Sequence, residues 1–215
     1  MTKKTVVPIF AGGGTRLPAH VGILHALEDF DVDFNHIVGV SGGSIVSSLF
    51  AAGMSPAEIK EIALNTNYNE FREFSLLKLI RNGGLSSGDR FEKWMDDLLG
   101  GKTFAELDYD LHIVATDVAN GSPVIFDKEN TPDVKVSLAV RFSMSIPLVF
   151  SFKSFGNHVM VDGSILSEDA VHRDWAKDGT PVLCFRLKGD HETNEVKIKG
   201  WFPIYKYLTL LVRTF

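Results

Sequence analysis

The most constraining stretch of the chain runs from His36 to Phe50. A short apolar run, His36-Ile37-Val38-Gly39-Val40, ends on Ser41-Gly42-Gly43, and a helix-compatible run follows to Gly53. Gly39-Val40-Ser41-Gly42-Gly43 fits the pattern Gly-x-Ser-x-Gly, which places a serine on a sharp strand-to-helix turn. Such a turn holds the serine in a strained backbone conformation, and helix and strand then pass close enough for side chains at the flanking positions to clash. Gly39 and Gly43 are therefore the expected elbow glycines. The helix N-terminus behind Ser41 favours negative charge developing beside it.

A second glycine-rich loop precedes this one by about the length of a βαβ unit. Thr5 to Ala11 reads as a buried strand, with Pro8 predicting a bulge or an edge position. Gly12-Gly13-Gly14-Thr15-Arg16 follows, and Leu17 to Phe30 reads as a helix with Pro18 in its first turn and Val21, Leu24 and Leu27 on one face. Strand, glycine loop and helix make an anion site, because backbone N–H groups converge there. Two nucleotide motifs fail against the chain. A dinucleotide fingerprint needs glycine where Leu17 stands, and a P-loop ending at Gly101-Lys102-Thr103 needs glycine where Asp96 stands. Adjacent parallel strands bring the Gly12–Gly14 loop and Ser41 to one carboxyl edge, where open α/β sheets bind ligands.

Farther on, Ser55-Pro56 opens a capped helix, and Ser87-Gly88-Asp89 opens another with Phe91, Trp94, Met95, Leu98 and Leu99 on one face. Phe71 to Ile80 reads as core, with an acyl-chain groove as the functional alternative. Leu111 to Thr116 and Val124 to Phe126 read as strands joined around Asn120-Gly121. Val136 to Ser145 reads as a helix stopping before Pro147. Leu148–Phe152 and His158–Val161 read as a hairpin turning at Gly156-Asn157 and ending on Asp162-Gly163. Pro181 to Leu187 reads as a last strand, and Gly189 to Lys199 as a polar loop.

At 215 residues, 45% of them hydrophobic, the chain suffices for one compact domain. The single cysteine, Cys184, excludes an internal disulfide and suits a reducing compartment. The net charge of −5, with no basic block, argues against nucleic acid as a partner. The apolar run after Lys3-Lys4 is too short for a signal peptide, and no segment approaches the length of a membrane span. The expectation is a soluble cytoplasmic protein that touches membranes only peripherally. The run Trp201 to Phe215 combines interface-favouring aromatics with Lys206 and Arg213; it reads as a core helix or, alternatively, a surface-docking segment.

A serine nucleophile needs a base. Of seven histidines, only His172 and His191 follow a plausible acid in the order a histidine triad requires. The other route is a dyad in which Asp162, fixed at a strand end, takes the hydroxyl proton directly. The residues alone leave both routes open.

Four blocks in order resemble the patatin-like phospholipase family: Gly12-Gly13-Gly14-Thr15-Arg16 its oxyanion loop, Gly39-Val40-Ser41-Gly42-Gly43 its elbow, Ala139 to Pro147 its third block, and Asp162-Gly163-Ser164 its dyad motif. His20-Val21-Gly22-Ile23-Leu24 resembles the helix after the oxyanion loop. The resemblance covers about Val6 to Val171. It implies a three-layer α/β/α domain around a mainly parallel sheet, spanning 1–215 as a single domain. It further implies a lipid acyl hydrolase acting on phospholipid or other acyl-lipid esters. Ser41 would be the nucleophile, Asp162 the base, and Gly12, Gly13, Gly14 and Arg16 would form the oxyanion loop, with no catalytic histidine, metal or organic cofactor. The chain departs from the family pattern at Leu17, Ser164 and Ser167 to Ala170, which bears on the shape of the pocket. It also ends at Thr214-Phe215 inside a helix-compatible run where family members usually continue, so a truncated domain is expected. The rival readings are an α/β-hydrolase esterase with a Ser-His-Asp triad, a non-catalytic lipid-binding module on the same scaffold, and a nucleotide switch that the failed motifs disfavour.

Overall fold

Seven strands form the main sheet of the computed structural model, which describes residues 4–13, 16–71, 84–166 and 168–187. The elements in chain order begin with β1 (Lys4–Thr5), β2 (Val7–Gly12), α1 (Leu17–Asp29), β3 (Val32–Asp33) and β4 (His36–Val40). Next come α2 (Gly42–Ala51), α3 (Pro56–Asn65), β5 (Gly84–Ser86), α4 (Asp89–Leu99), β6 (Asp110–Asp117) and β7 (Ser122–Phe126). The last are α5 (Val136–Ser143), β8 (Leu148–Phe150), β9 (Lys153–Phe155), β10 (His158–Val161), α6 (Glu168–His172) and β11 (Val182–Leu187). The order across the sheet is β11-β2-β4-β6-β10-β9, with β7 also paired to β6. β11, β2, β4 and β6 run parallel, while β7, β10 and β9 are antiparallel to their neighbours.

Alternation along the strands sends side chains to two cores. Phe10, Ile37, Ile113 and Ala115 face α1, α2, α4 and α5, whereas Ile9, Ala11, Val38, Val40 and Val114 face Ala170 of α6 and Trp175. This is the expected three-layer α/β/α arrangement. Helix α2 is buried along nearly its whole length. Its hydroxyls survive burial by bonding back within the helix: Ser44, Ser47 and Ser48 donate to the carbonyls of Ser41, Ser44 and Ile45.

Two local expectations need correction. Pro8 sits neither in a bulge nor at an edge, because β2 lies between β11 and β4. Val7 N–H donates to Pro181 O on the β11 side, so alternation aims the Pro8 nitrogen the other way, where the ladder to β4 starts only at Ile9. The missing donor therefore falls where none is used. The hairpin into Asp162 is built from Lys153–Phe155 and His158–Val161, turning at Gly156-Asn157 as expected; Leu148–Phe150 instead pairs parallel with Gly84–Ser86. Both segments are apolar, and sequence alone does not distinguish the partners.

Capping follows the sequence closely. Ser55 and Glu58 form a reciprocal capping box at α3, and Gly88 in the left-handed region precedes α4. The apolar run from residue 72 to 80 and the whole of Trp201 to Phe215 lie outside the described residues, as does the polar stretch from Gly189.

Both elbow glycines are dictated by close approach. A Cβ on Gly43 would sit 2.0 Å from the Phe10 carbonyl oxygen, and one on Gly39 would sit 2.1 Å from Ser47 Oγ and 2.6 Å from Ser44 Cα. Gly43→Ala forces strand and helix apart and should lower stability by about 1–3 kcal/mol. Gly22→Ala, in the exposed interior of α1 with open space around it, should instead raise stability by about 0.5–1 kcal/mol. Denaturant melts of the two variants check the contrast.

Candidate active site

Two strands end against each other on one edge of β6. Val40, the last residue of β4, pairs with Val114, and Val161, the last residue of β10, pairs with Thr116. β7 occupies the opposite edge of β6 over the same residues, so β4 and β10 share one edge and run towards each other. The residues that leave the two strands are Ser41 and Asp162. They meet at the level of Ala115, brought together from positions far apart in the chain.

Ser41 Oγ donates to Asp162 Oδ2 at 2.8 Å. The serine backbone lies at φ 51°, ψ −129°, the strained turn expected of the elbow. Its strain is held by its neighbours. Ser41 N–H donates to Ser143 Oγ at 2.9 Å, and that hydroxyl donates in turn to Val114 O at 2.6 Å. Ser44 N–H and Ser44 Oγ both donate to Ser41 O. Met144 Sδ lies 3.9 Å from Ser41 Oγ.

Asp162 is fixed from three sides. Its N–H donates to Ser145 O at 2.9 Å, and Ser164 N–H donates to its Oδ1 at 2.8 Å. Gly163 passes so close to β6 that a Cβ would lie 2.0 Å from Val114 O. Ser164 serves the carboxylate through its backbone N–H, a group every non-proline residue carries, and through its hydroxyl as well, so its departure from the family pattern keeps the first bond and adds a second. The carboxyl is fully buried, and this desolvation pushes it up to about 6; the hydrogen bonds from Ser164 and Ser41 pull the other way and are outweighed. It is the environment of a proton acceptor that works near neutrality.

Helix α5 supplies much of the frame. It ends on Ser143, leads directly into Met144 and Ser145, and carries the buried Arg141, whose guanidinium donates to Ser145 Oγ, Ser87 O and Ser151 O and stacks over Phe150. Desolvation draws Arg141 down to about 10, against the pull of Glu92 and Asp89. Ser143 and Met144 received no role from sequence reasoning. The available signal was a small polar residue closing an apolar helix inside the third block of the resemblance.

The glycine loop lies at the carboxyl end of β2, next to β4. Gly12 ends β2 at φ +70°, and Gly13 follows at φ +101°. Gly13 O accepts from Arg16 N–H at 2.8 Å. The Arg16 side chain is exposed. Gly14 lies outside the described residues. His172, one candidate for a triad, ends α6 at the surface, and His191 lies outside the described residues. Among the described residues no histidine nitrogen bonds Ser41 Oγ, and no group of three or more His, Cys, Asp or Glu could hold a metal ion. Ser143→Ala leaves Ser41 N–H and Val114 O without their partner. A buried unsatisfied group costs about 1–3 kcal/mol, so the variant should melt lower by a corresponding amount.

Comparisons with known proteins place this geometry in a family. The family model described as "Patatin-like phospholipase" matches residues 9–173. An uncharacterized protein of Bacillus subtilis, YqhO, is 31% identical, with 92% of this chain and 76% of that protein covered. A protein of Invertebrate iridescent virus 6 named "Probable lipid hydrolase 463L" is 27% identical over 73% of this chain and 59% of its own length. The fold is shared with VipD from Legionella pneumophila at a TM-score of 0.67 and 16% identity, covering 85% of this chain and 50% of that one. ExoU of the Pseudomonas aeruginosa type III secretion system matches at a TM-score of 0.53 and 20% identity, over 67% of this chain and 39% of that one. The chain therefore spans half or less of these two solved structures. On the match across most of its length, the chain belongs to the patatin-like phospholipase family.

Proposed function

We propose that the protein is a serine lipid acyl hydrolase that cleaves fatty-acyl esters of phospholipids or related lipids through an acyl-enzyme on Ser41. The observation that carries this reading is the 2.8 Å hydrogen bond from Ser41 Oγ to Asp162 Oδ2 at the carboxyl edge of the sheet. Asp162 takes the hydroxyl proton as Oγ attacks the ester carbonyl, then returns it to the leaving alcohol. In the second half-reaction it takes a proton from water, which attacks the acyl-enzyme, and Ser41 recovers the proton on release of the fatty acid. The N–H groups of Gly13, just past the end of the strand beside the elbow, and of Gly14, which follows it in sequence, bind the tetrahedral oxyanion, with Gly12 and Arg16 shaping that loop. The family and the relative named as a lipid hydrolase support lipid esters as the substrate class. Substrate reaches the enzyme by peripheral contact with the lipid surface; among the described residues no helix is long and apolar enough to cross a membrane.

The buried carboxylate sets the pH dependence. Asp162 must be ionised to accept a proton, so kcat/KM should rise with pH through about 6 and stay level above it. A profile governed by an unperturbed carboxylate, level from about pH 5 upward, contradicts the assignment.

Stability has the opposite sign. A carboxyl raised in the folded state contributes stability at low pH, and that contribution is lost as pH rises through about 6. Asp162→Asn, which removes the proton acceptor, should lose at least about a hundredfold in fatty-acid release from phospholipid vesicles. At neutral pH the same variant should melt higher, because an uncharged amide replaces a desolvated carboxylate; the shift from 3.8 to about 6 sets the gain at up to about 3 kcal/mol. His172→Ala and His191→Ala should remain active; loss of turnover in either, with the fold intact, would replace the dyad by a histidine triad.

A further inference from the structure

His20 is fully buried one turn into α1, in a core otherwise built from aliphatic and aromatic side chains. Its Nε2 lies 3.1 Å from Gly12 O. A carbonyl oxygen only accepts, so Nε2 carries the proton and donates. Nδ1 is then a bare lone pair in the neutral ring, and it is buried without a partner among the described residues. Burial lowers the affinity of the ring for a second proton, which keeps it neutral. The ring is oriented by Phe10, which meets it edge to face at 5.4 Å and 85°.

An aliphatic side chain would fill this space without burying an unsatisfied nitrogen. What it would not supply is the N–H that meets the buried Gly12 carbonyl. That carbonyl belongs to the peptide joining Gly12 to Gly13. A peptide is planar, and among the described residues none is cis, so fixing its C=O fixes the whole plane. The next carbonyl is held in the same way, because Gly13 O accepts from the N–H of Arg16, the residue that caps α1. Helix α1 and its cap therefore hold the entrance to the glycine loop at two successive carbonyls, once through the His20 side chain and once through the Arg16 backbone. The contact is tight: a Cβ on Gly13 would lie 3.3 Å from His20 Nε2 and 2.9 Å from Leu187 Cδ1. Both glycines have positive φ, so their planes are not set by the steric limits that constrain other residues. Something outside the loop has to set them.

We infer that His20 is a positioning residue for the oxyanion loop, acting through the Nε2–H bond to the Gly12 carbonyl that fixes the peptide planes entering it. This rests on the acyl-hydrolase reading. The bond should matter to the transition state more than to substrate binding, because the loop's donors meet charge that develops only as the ester carbonyl is attacked.

The test compares His20→Leu, which keeps the volume and loses the donor, with His20→Gln, whose side-chain amide can still donate to Gly12 O. On a soluble short-chain ester, His20→Leu should lose about ten- to a hundredfold in kcat with KM unchanged, the signature of a displaced catalytic group. His20→Gln should recover most of that loss, although it packs less well than leucine. Nitrogen chemical shifts of the wild-type histidines should show His20 as the neutral Nε2–H tautomer at neutral pH. Wild-type turnover with undiminished kcat in folded His20→Leu overturns the positioning role alone. So does an Nδ1–H tautomer at His20, which leaves Nε2 without a proton to donate and decides the matter if His20→Leu does not fold. Absence of ester hydrolysis in the wild type overturns both this role and the reading on which it rests.

Discussion

The meeting of Ser41 and Asp162 depends on two strands ending head to head on one edge of β6. β4 arrives in parallel and β10 in antiparallel orientation, and β7 takes the other edge. The gap between their ends accommodates the elbow from one side and the Asp162 turn from the other. The geometry tolerates little extra volume. Gly163 lies against Val114 O, Gly43 against Phe10 O, and Gly39 against α2. Each glycine stands where a Cβ would push Ser41 and Asp162 apart. The same Val114 carbonyl also accepts from Ser143, whose hydroxyl holds the N–H of Ser41. One short stretch of β6 thus sets the position of both groups.

Electrostatics oppose this arrangement. A fully desolvated carboxylate works against folding at neutral pH, and the hydrogen bonds it receives from Ser41 and Ser164 offset only part of the burial. The strained φ of Ser41 and the unpartnered Nδ1 of His20 act in the same direction. These costs cluster around one site, while the surrounding sheet is regular and its apolar faces are covered on both sides. A scaffold with two cores can sustain a local deficit of this kind, and the deficit is what leaves Asp162 with a raised proton affinity.

The alternation of apolar residues and the position of turn residues made most of the architecture legible. β2, α1, β4, α2, α3, α4 and β11 follow directly from residue patterns, and Ser55 and Gly88 mark their helices correctly. Ser41 and Asp162 could be named because glycine next to each has a steric meaning that survives without coordinates. Pairing was less accessible. Leu148–Phe150 looks like half of a hairpin because it is apolar and near a turn, yet its partner Gly84–Ser86 is distant in sequence. Pro8 misled because proline disfavours interior strands in general, whereas here its nitrogen faces a place where no bond is made. The supporting residues Ser143 and His20 stand inside blocks of the resemblance but carry no signature of their roles: a serine closing a helix and a histidine on a helical face are ordinary until the carbonyls and N–H groups they serve are located in space.

The central claim is that Ser41 is the nucleophile and that a carboxylate, with no histidine, activates it. Labelling of the intact protein with a fluorophosphonate, followed by peptide mapping, tests this most directly. The account predicts a single adduct on Ser41 that disappears in Ser41→Ala, with a labelling rate that climbs through one ionisation near pH 6, as the Asp162 carboxyl requires. An adduct on another serine, or labelling that persists without Ser41, would contradict it.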